Sequence, residues 1–448
     1  MAALCLTATA CSNEEDIMTV SQKEIKNISY EGDMCEIDLT TYAQWTAASS
    51  ADWCKVMRPE GTGDTKLMVN VQANLGDART AQITLTADGE TKEISLTQQG
   101  KPAEEELVYK LPIIFHVLYF DPNDEVQNPP AEKIYEMIDK TNEIYRGHTG
   151  TGNPDMKLEF IPATHDPRGN LLEEPGIERV QWVSSSLNAE DVMSDRTRKY
   201  VHLQWDPNDY INILLFRFSD AGILGISTFP LTPKSNPLTG LDQVEDMDYG
   251  LDNLIEYRGL SINSTYVYAP NDIFAPYAPQ DWKDKIDMQN SGYITLAHEL
   301  GHYLGLRHTF SENGLFCQDT DLCDDTPSYD YDEYTTWTLD IYEKVLTDPS
   351  YASQVDWKGL FNRQNCQNET FESHNLMDYA YCYLDELTPN QYERVRHVLT
   401  YSPLVPGPKL KPKTSTKTRT VSGLVDLPHS LADTAPTPFI LAREKKHP

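Results

Sequence analysis

The chain has 448 residues, enough for two or three domains, and its 39% hydrophobic and 10% aromatic content supports packed cores rather than global disorder. Lys and Arg number 37 against 69 Asp and Glu, a formal charge of −32, which argues against nucleic acid as a partner because phosphate binding needs clustered cations. The carboxylate excess suits a soluble extracellular protein and leaves oxygen ligands for calcium, although surface solubility accounts for most of it.

Residues 1–17 open with a short run of small and apolar residues that ends at Cys11 and turns acidic at Glu14, Glu15 and Asp16. The run is too short to span a bilayer. Ala8-Thr-Ala-Cys11 resembles the end of a bacterial lipoprotein signal, which implies export across the inner membrane and lipidation at Cys11. Two features depart from that pattern: no basic start precedes the run, and Ala8 stands where Leu is usual. An ordinary secretory cleavage site is the competing expectation. The acids after Cys11 resemble export signals of Bacteroidetes surface lipoproteins, so membrane contact is expected only through the lipid, at the outer membrane or cell surface. Eight cysteines are present. Beyond Cys5 and Cys11, Cys35 and Cys54 form one set and Cys317, Cys323, Cys366 and Cys382 another. Even sets in an exported protein read as disulfide candidates, with the pairings left open.

Residues 18–100 read as all-β. Leu67, Val69 and Val71 alternate with polar neighbours, as do Ile83 and Leu85, then Ile94 and Leu96. Turn signals at Gly61-Thr-Gly63, Asn74-Leu-Gly76 and Asp88-Gly89 separate short strands, the pattern of a small immunoglobulin-like β-sandwich. Trp45-Thr-Ala-Ala-Ser-Ser-Ala-Asp-Trp53, Gly61-Thr-Gly63, Asn74, Arg79-Thr-Ala-Gln-Ile83 and Gln98-Gln-Gly100 together resemble a BACON domain. That resemblance implies a Bacteroidetes surface protein and a module suspected of binding carbohydrate or mucin. Trp45 and Trp53 could stack on sugar rings, but the commoner fate of such aromatics is the core.

Residues 101–106 form a polar linker, and 107–405 read as an α/β catalytic domain. Leu111–Tyr119 and Tyr210–Phe218 are apolar enough for buried strands, and Ala131–Tyr145 has helical spacing through Ile134, Met137, Ile138 and Ile144. The segment 231–290, rich in Pro, Asn, Asp and Tyr, reads as an inserted surface loop. Residues 406–448 carry eight Lys or Arg against three acids, and Lys409–Arg419 has no apolar face, so a disordered basic tail is expected.

The chemistry concentrates in His298-Glu-Leu-Gly-His-Tyr-Leu-Gly-Leu-Arg-His308. Helical periodicity begins near Gly292, so His298 and His302, four apart, share one face and can reach a single zinc. Gly305 is a natural helix stop, after which the chain can double back and bring His308 to the metal. Three neutral ligands leave a fourth position for water, the mark of a catalytic rather than a structural zinc. Glu299, about 100° further round the helix, is off the ligand face and placed to act as general base.

This segment resembles the extended zinc signature of the metzincins, whose fold is the zincin α/β type. Asn375-Leu-Met-Asp-Tyr379 resembles their methionine turn, which implies Met377 as an apolar floor and Tyr379 as an oxyanion-supporting tyrosine. Gly305-Leu-Arg-His-Thr-Phe310, Cys317, Cys323, Asp324-Asp-Thr-Pro327, Cys366, Cys382 and Leu387-Thr-Pro-Asn-Gln391 narrow the resemblance to the pappalysins. Upstream, Ile114-Phe-His-Val117, Asn142–Gly147 and Gly176–Arg179 fit the same family, so residues 107–402 are covered. Leu376 departs from it, standing where an aromatic is common. The resemblance implies one catalytic zinc, a protein or peptide substrate, and calcium near the site, for which Asp319, Asp321, Asp324, Asp325 and Thr326 are the candidates; a solvated acidic loop is the alternative. Two functions follow. One is a surface-anchored zinc endopeptidase; the other is a glycan- or mucin-binding surface protein with an impaired peptidase domain, against which the intact Glu299 counts.

Overall fold

Alternating burial folds the N-terminal residues into short strands: β1 (Met18–Val20), β2 (Glu24–Ile28), β3 (Asp33–Thr41), β4 (Gln44–Ser49), β5 (Cys54–Val56), β6 (Glu60–Thr62), β7 (Thr65–Val71), β8 (Arg79–Ala87) and β9 (Glu90–Gln98). The computed structural model describes residues 16–150, 152–268, 274–312, 317–379, 381–410 and 419–433. Contacts divide them into one unit up to Glu105 with Pro167–Gly169, and a second unit with the rest. The signal-like segment, Cys11 and residues 434–448 lie outside the described residues.

The first unit holds two sheets, ordered β1-β3-β7-β5 and β2-β9-β8-β4-β6. Ile37, Leu39, Leu67 and Val69 from one and Trp45, Ile83, Leu85, Ile94 and Leu96 from the other close a single core. Trp45 is a core residue, 2% exposed, with its indole N–H donated to the Gly63 carbonyl at 3.0 Å. Trp53 carries the Arg79 guanidinium 4.1 Å over its ring, so that face is taken. Cys35 and Cys54 do not form the expected disulfide; both are free and buried. They lie on β3 and β5, on opposite sides of β7 and facing Val69 and Val71. Two strand spacings, roughly 9.5 Å, exceed the roughly 7 Å between Cα atoms that a disulfide spans.

In the second unit the central strand is β10 (Tyr109–Tyr119). It pairs in parallel with β11 (Leu158–Pro162) along its first half, β12 (Ile177–Gln181) along its second, and β13 (Ile211–Phe216) on its other side. Next come the strand Leu260–Asn263, parallel to β13, and β14 (Gly225–Ser227), antiparallel at the edge. Every residue of β13 is buried, as a parallel strand covered on both faces requires. The helix Ala131–Tyr145 returns the chain across the sheet and packs on the helix Gly292–Tyr303. There the Tyr145 hydroxyl donates to the Ala297 carbonyl at 2.9 Å.

The segment 231–290 is not all surface loop: Leu260–Asn263 is fully buried between β13 and β14, and Gln280–Met288 is helical. Four residues that include Ser261 and Asn263 carry too little apolar signal to read as a core strand. Nor are the described residues past 406 a loose tail. Arg419–Thr420 pairs with Met247–Asp248, and Leu427, with Val421 and Val425 against it, joins Val201, Leu231, Tyr249 and Leu254 in a core. Half-buried Lys409 donates to the carbonyls of Leu399 and Pro406 at 2.7 and 3.3 Å, the desolvation of its ammonium bringing its pKa down to about 7. The lysines dominate the composition and hide the few apolar anchors that decide the fold. No described helix is long and apolar enough to cross a membrane.

Candidate active site

The helix Gly292–Tyr303 ends at Leu304, and Gly305 takes φ +91°, where the Leu306 N–H turns back to the Gly301 carbonyl at 2.9 Å. That left-handed turn sends the chain back along the helix. It brings the His308 ring to those of His298 and His302, which the four-residue spacing has already put on one face. The three Nε2 atoms stand 3.1, 3.1 and 3.3 Å apart. Each Nδ1 is anchored: His298 to the Leu376 carbonyl at 2.8 Å, His302 to the Leu306 carbonyl at 2.9 Å, and His308 to the Glu312 carboxylate at 2.5 Å. A carbonyl or carboxylate only accepts, so each Nδ1 is the protonated nitrogen and each Nε2 presents a lone pair. Burial pushes all three rings below the usual imidazole pKa, His298 to about 4, which keeps them neutral.

Three converging acceptors with no donor among them fit a cation. Tetrahedral zinc with nitrogen at about 2.0–2.1 Å needs nitrogens roughly 3.3–3.4 Å apart, close to what the site offers. Among the described residues this trio is also the only group of three or more metal-capable side chains whose ligand atoms lie together. Glu299 is fully buried beside it, and neither carboxylate oxygen has a hydrogen-bond partner. Burial raises its pKa well above the usual carboxyl value. Its side chain fits because β14 carries Gly225, where a Cβ would stand 2.6 Å from Glu299 Cγ and 2.7 Å from Oε1.

Met377 packs against the middle of the ligand-bearing helix. A Cβ at Gly301 would meet its sulfur at 2.4 Å, so the glycine in the middle of the helix is what admits the methionine. Tyr379 follows, its ring centroid 4.2 Å from that of His308 and 5.5 Å from that of His298. The turn is held from behind by buried Arg363, which donates to the Tyr379 and Tyr381 carbonyls at 3.0 and 3.2 Å and stands 3.4 Å from Asp378. Asp378 also accepts from Tyr329 and Ser373. Arg363→Met leaves the Asp378 charge buried without its cation and is expected to cost roughly 3–5 kcal/mol in urea unfolding. A change within experimental error contradicts this support.

Sequence reasoning missed Glu312, Gly225, Arg363 and the two backbone carbonyls. Glu312 had a faint signal, an acid four residues past His308; the carbonyls carry none in their side chains. The acidic loop divides its roles. Asp325 accepts from the Thr388 hydroxyl and the Asn390 N–H at 2.7 and 2.9 Å, at the start of the helix Pro389–Tyr401. Asp321 accepts from Thr326 Oγ1 at 2.6 Å, burial raising its pKa to about 8. Asp319 accepts from the Leu322 N–H at 3.0 Å, and Asp324 is exposed. Of the four cysteines expected to pair here, Cys317 and Cys366 form a disulfide, while Cys323 and Cys382 are free and buried. Cys382 is occupied otherwise, with Ser373 Oγ 3.2 Å from its sulfur.

Residues 43–99 match the BACON family model, described as an N-terminal binding domain, and residues 282–400 match the Peptidase_M43 model, described as pregnancy-associated plasma protein-A. Proteins named "Extracellular metalloprotease" from Arthroderma benhamiae and Trichophyton verrucosum are each 36% identical over 106 residues, 23% of this chain. The match spans only 28% of those relatives' own length. Among solved structures, Tannerella forsythia mature mirolysin in complex with a cleaved peptide is 20% identical over 65% of this chain and 91% of that one, with a TM-score of 0.41. Mirolysin in complex with compound 9 gives 20% identity, 66% and 92% coverage and a TM-score of 0.43. The Peptidase_M43 match covers the histidine trio, Glu299, Met377 and Tyr379 in one stretch, so residues 282–400 are similar to the pappalysin peptidases and residues 43–99 to BACON domains.

Proposed function

We propose that the chain is a zinc-dependent endopeptidase acting on protein or peptide substrates. The observation that carries this is the convergence of three anchored, neutral imidazoles beside a buried carboxylate with no partner of its own. His298, His302 and His308 would hold the ion, and zinc when bound supplies a Lewis acid and lowers the pKa of a coordinated water to about 7. Glu299 takes a proton from the attacking water and returns it to the departing amine. Tyr379 donates its hydroxyl to the carbonyl oxygen as charge develops there. Met377 and the Arg363–Asp378 pair fix the turn that positions it. Cleavage of a peptide library that chelators abolish and zinc restores tests the activity; no cleavage of any peptide by zinc-loaded protein contradicts it. Tyr379→Phe is expected to lower kcat by roughly a hundred-fold with KM little changed, and unchanged kcat removes the role.

The finer reading is of a secreted protein held at the outer surface through lipid on Cys11. Incorporation of labelled palmitate that Cys11→Ser abolishes tests it, and equal labelling of the variant contradicts it. We read the N-terminal sheets as an immunoglobulin-like sandwich that serves as spacer or as tether to glycan or mucin. The test is binding of the full chain to mucin glycans on an array; no binding leaves the domain as a spacer.

A further inference from the structure

One strand edge in the catalytic unit is occupied by the chain itself. β14 pairs through one edge with Leu260–Asn263, and the backbone continuing from it pairs with residues 430–432. The Phe229 N–H donates to the Ser430 carbonyl and the Ala432 N–H to the Ser227 carbonyl, both at 2.9 Å, with Leu431 antiparallel to Thr228. One step further, the Tyr379 hydroxyl donates to the Asp433 carbonyl at 3.0 Å. The antiparallel register sets Asp433 opposite Ile226, next to Gly225, the residue against which Glu299 packs. The segment is delivered to this place by fixed neighbours. Leu427 sits in a core, Arg258 donates to the Pro428 carbonyl, His429 Nε2 contacts the Met193 carbonyl at 2.8 Å, and Ser430 Oγ donates to Asp242 at 2.5 Å.

An extended peptide added to a sheet edge, with one carbonyl on the oxyanion-supporting hydroxyl and beside the general base, is held as a substrate is held. We propose that residues 430–433 bind the cleft in cis as a substrate strand and that the peptide bond after Asp433 is one the site cuts. The inference rests on the endopeptidase reading. In the step, water oxygen adds to the Asp433 carbonyl carbon while Glu299 takes the water proton. The carbon–nitrogen bond then breaks, and the proton passes to the leaving nitrogen. A carboxylate at Asp433 and a free amine result, with no other reactant.

Zinc-loaded full-length protein is followed by intact mass and, in the same tube, by hydrolysis of an added peptide. The expected result is a cut after Asp433 whose first-order rate stays constant over a tenfold dilution, and no cut in Glu299→Gln. A readout without turnover accompanies it: binding of a fluorescent peptide of the sequence Ser-Leu-Ala-Asp to the Glu299→Gln protein. Ala432→Pro, which removes the N–H donated to Ser227, is expected to tighten that binding about ten-fold, as is Leu431→Asp, each with a melting temperature near that of the parent. Added peptide hydrolysed while the Asp433 bond stays whole, a cut whose rate scales with protein concentration, or peptide binding unchanged by both substitutions overturns the inference and leaves the endopeptidase reading standing. If neither the added peptide nor the chain is cut, the endopeptidase reading fails and the inferred cut with it.

Discussion

Glu299→Gln is expected to keep one zinc per chain and to lower kcat/KM for peptide hydrolysis by about a thousand-fold, within the range that general acid–base groups supply. Glu299 is fully buried, both its oxygens lack partners, and Gly225 leaves space for its side chain alone. No described contact makes it structural, so an amide of the same shape should fold equally well and coordinate nothing less. What the amide lacks is the capacity to accept a proton from water. Zinc content is read by mass spectrometry of the native protein and turnover by peptide cleavage. Full activity in the variant contradicts the mechanism, and loss of zinc along with activity shifts Glu299 from catalysis to metal retention.

The second large effect is expected from the metal itself. Removing zinc with a chelator should abolish turnover and lower the melting temperature. A ligand present at about a thousand times its Kd stabilises the folded state by about 4 kcal/mol, and three buried lone pairs facing one another gain much from it. His302→Ala should reproduce both effects in the presence of zinc, because the His302 Nε2 lies 3.1 Å from each of the other two. Its Nδ1 contact to the Leu306 carbonyl also closes the helix end at Gly305. Calorimetry with and without zinc measures the shift, and a melting temperature indifferent to zinc contradicts the site as drawn.

What the sequence made legible was whatever follows from local spacing. His298 and His302 lie four apart on a helix, and Gly305 needs a left-handed turn, so the metal face and its stop could be read directly. β10 and β13 announced themselves as apolar runs. The misses depend on contacts between distant residues. Leu260–Asn263 becomes a core strand only because β13 and β14 are already there to flank it. Cys35 and Cys54 share a unit, but β7 runs between them, and no spacing in the chain shows that. Residues 419–433 looked like an appendage because their lysine-rich approach outweighs four or five apolar side chains. The histidine anchors are carbonyls and one carboxylate, and only the last has a side chain to notice.

X-ray absorption at the zinc edge of the loaded protein tests the central claim most directly. Four nitrogen or oxygen scatterers at about 2.0–2.1 Å are expected, three of them showing the outer-shell multiple scattering of imidazole rings, with Cys323 and Cys382 contributing no sulfur. A fourth protein ligand closing the site, or fewer than three imidazoles on the ion, contradicts the account.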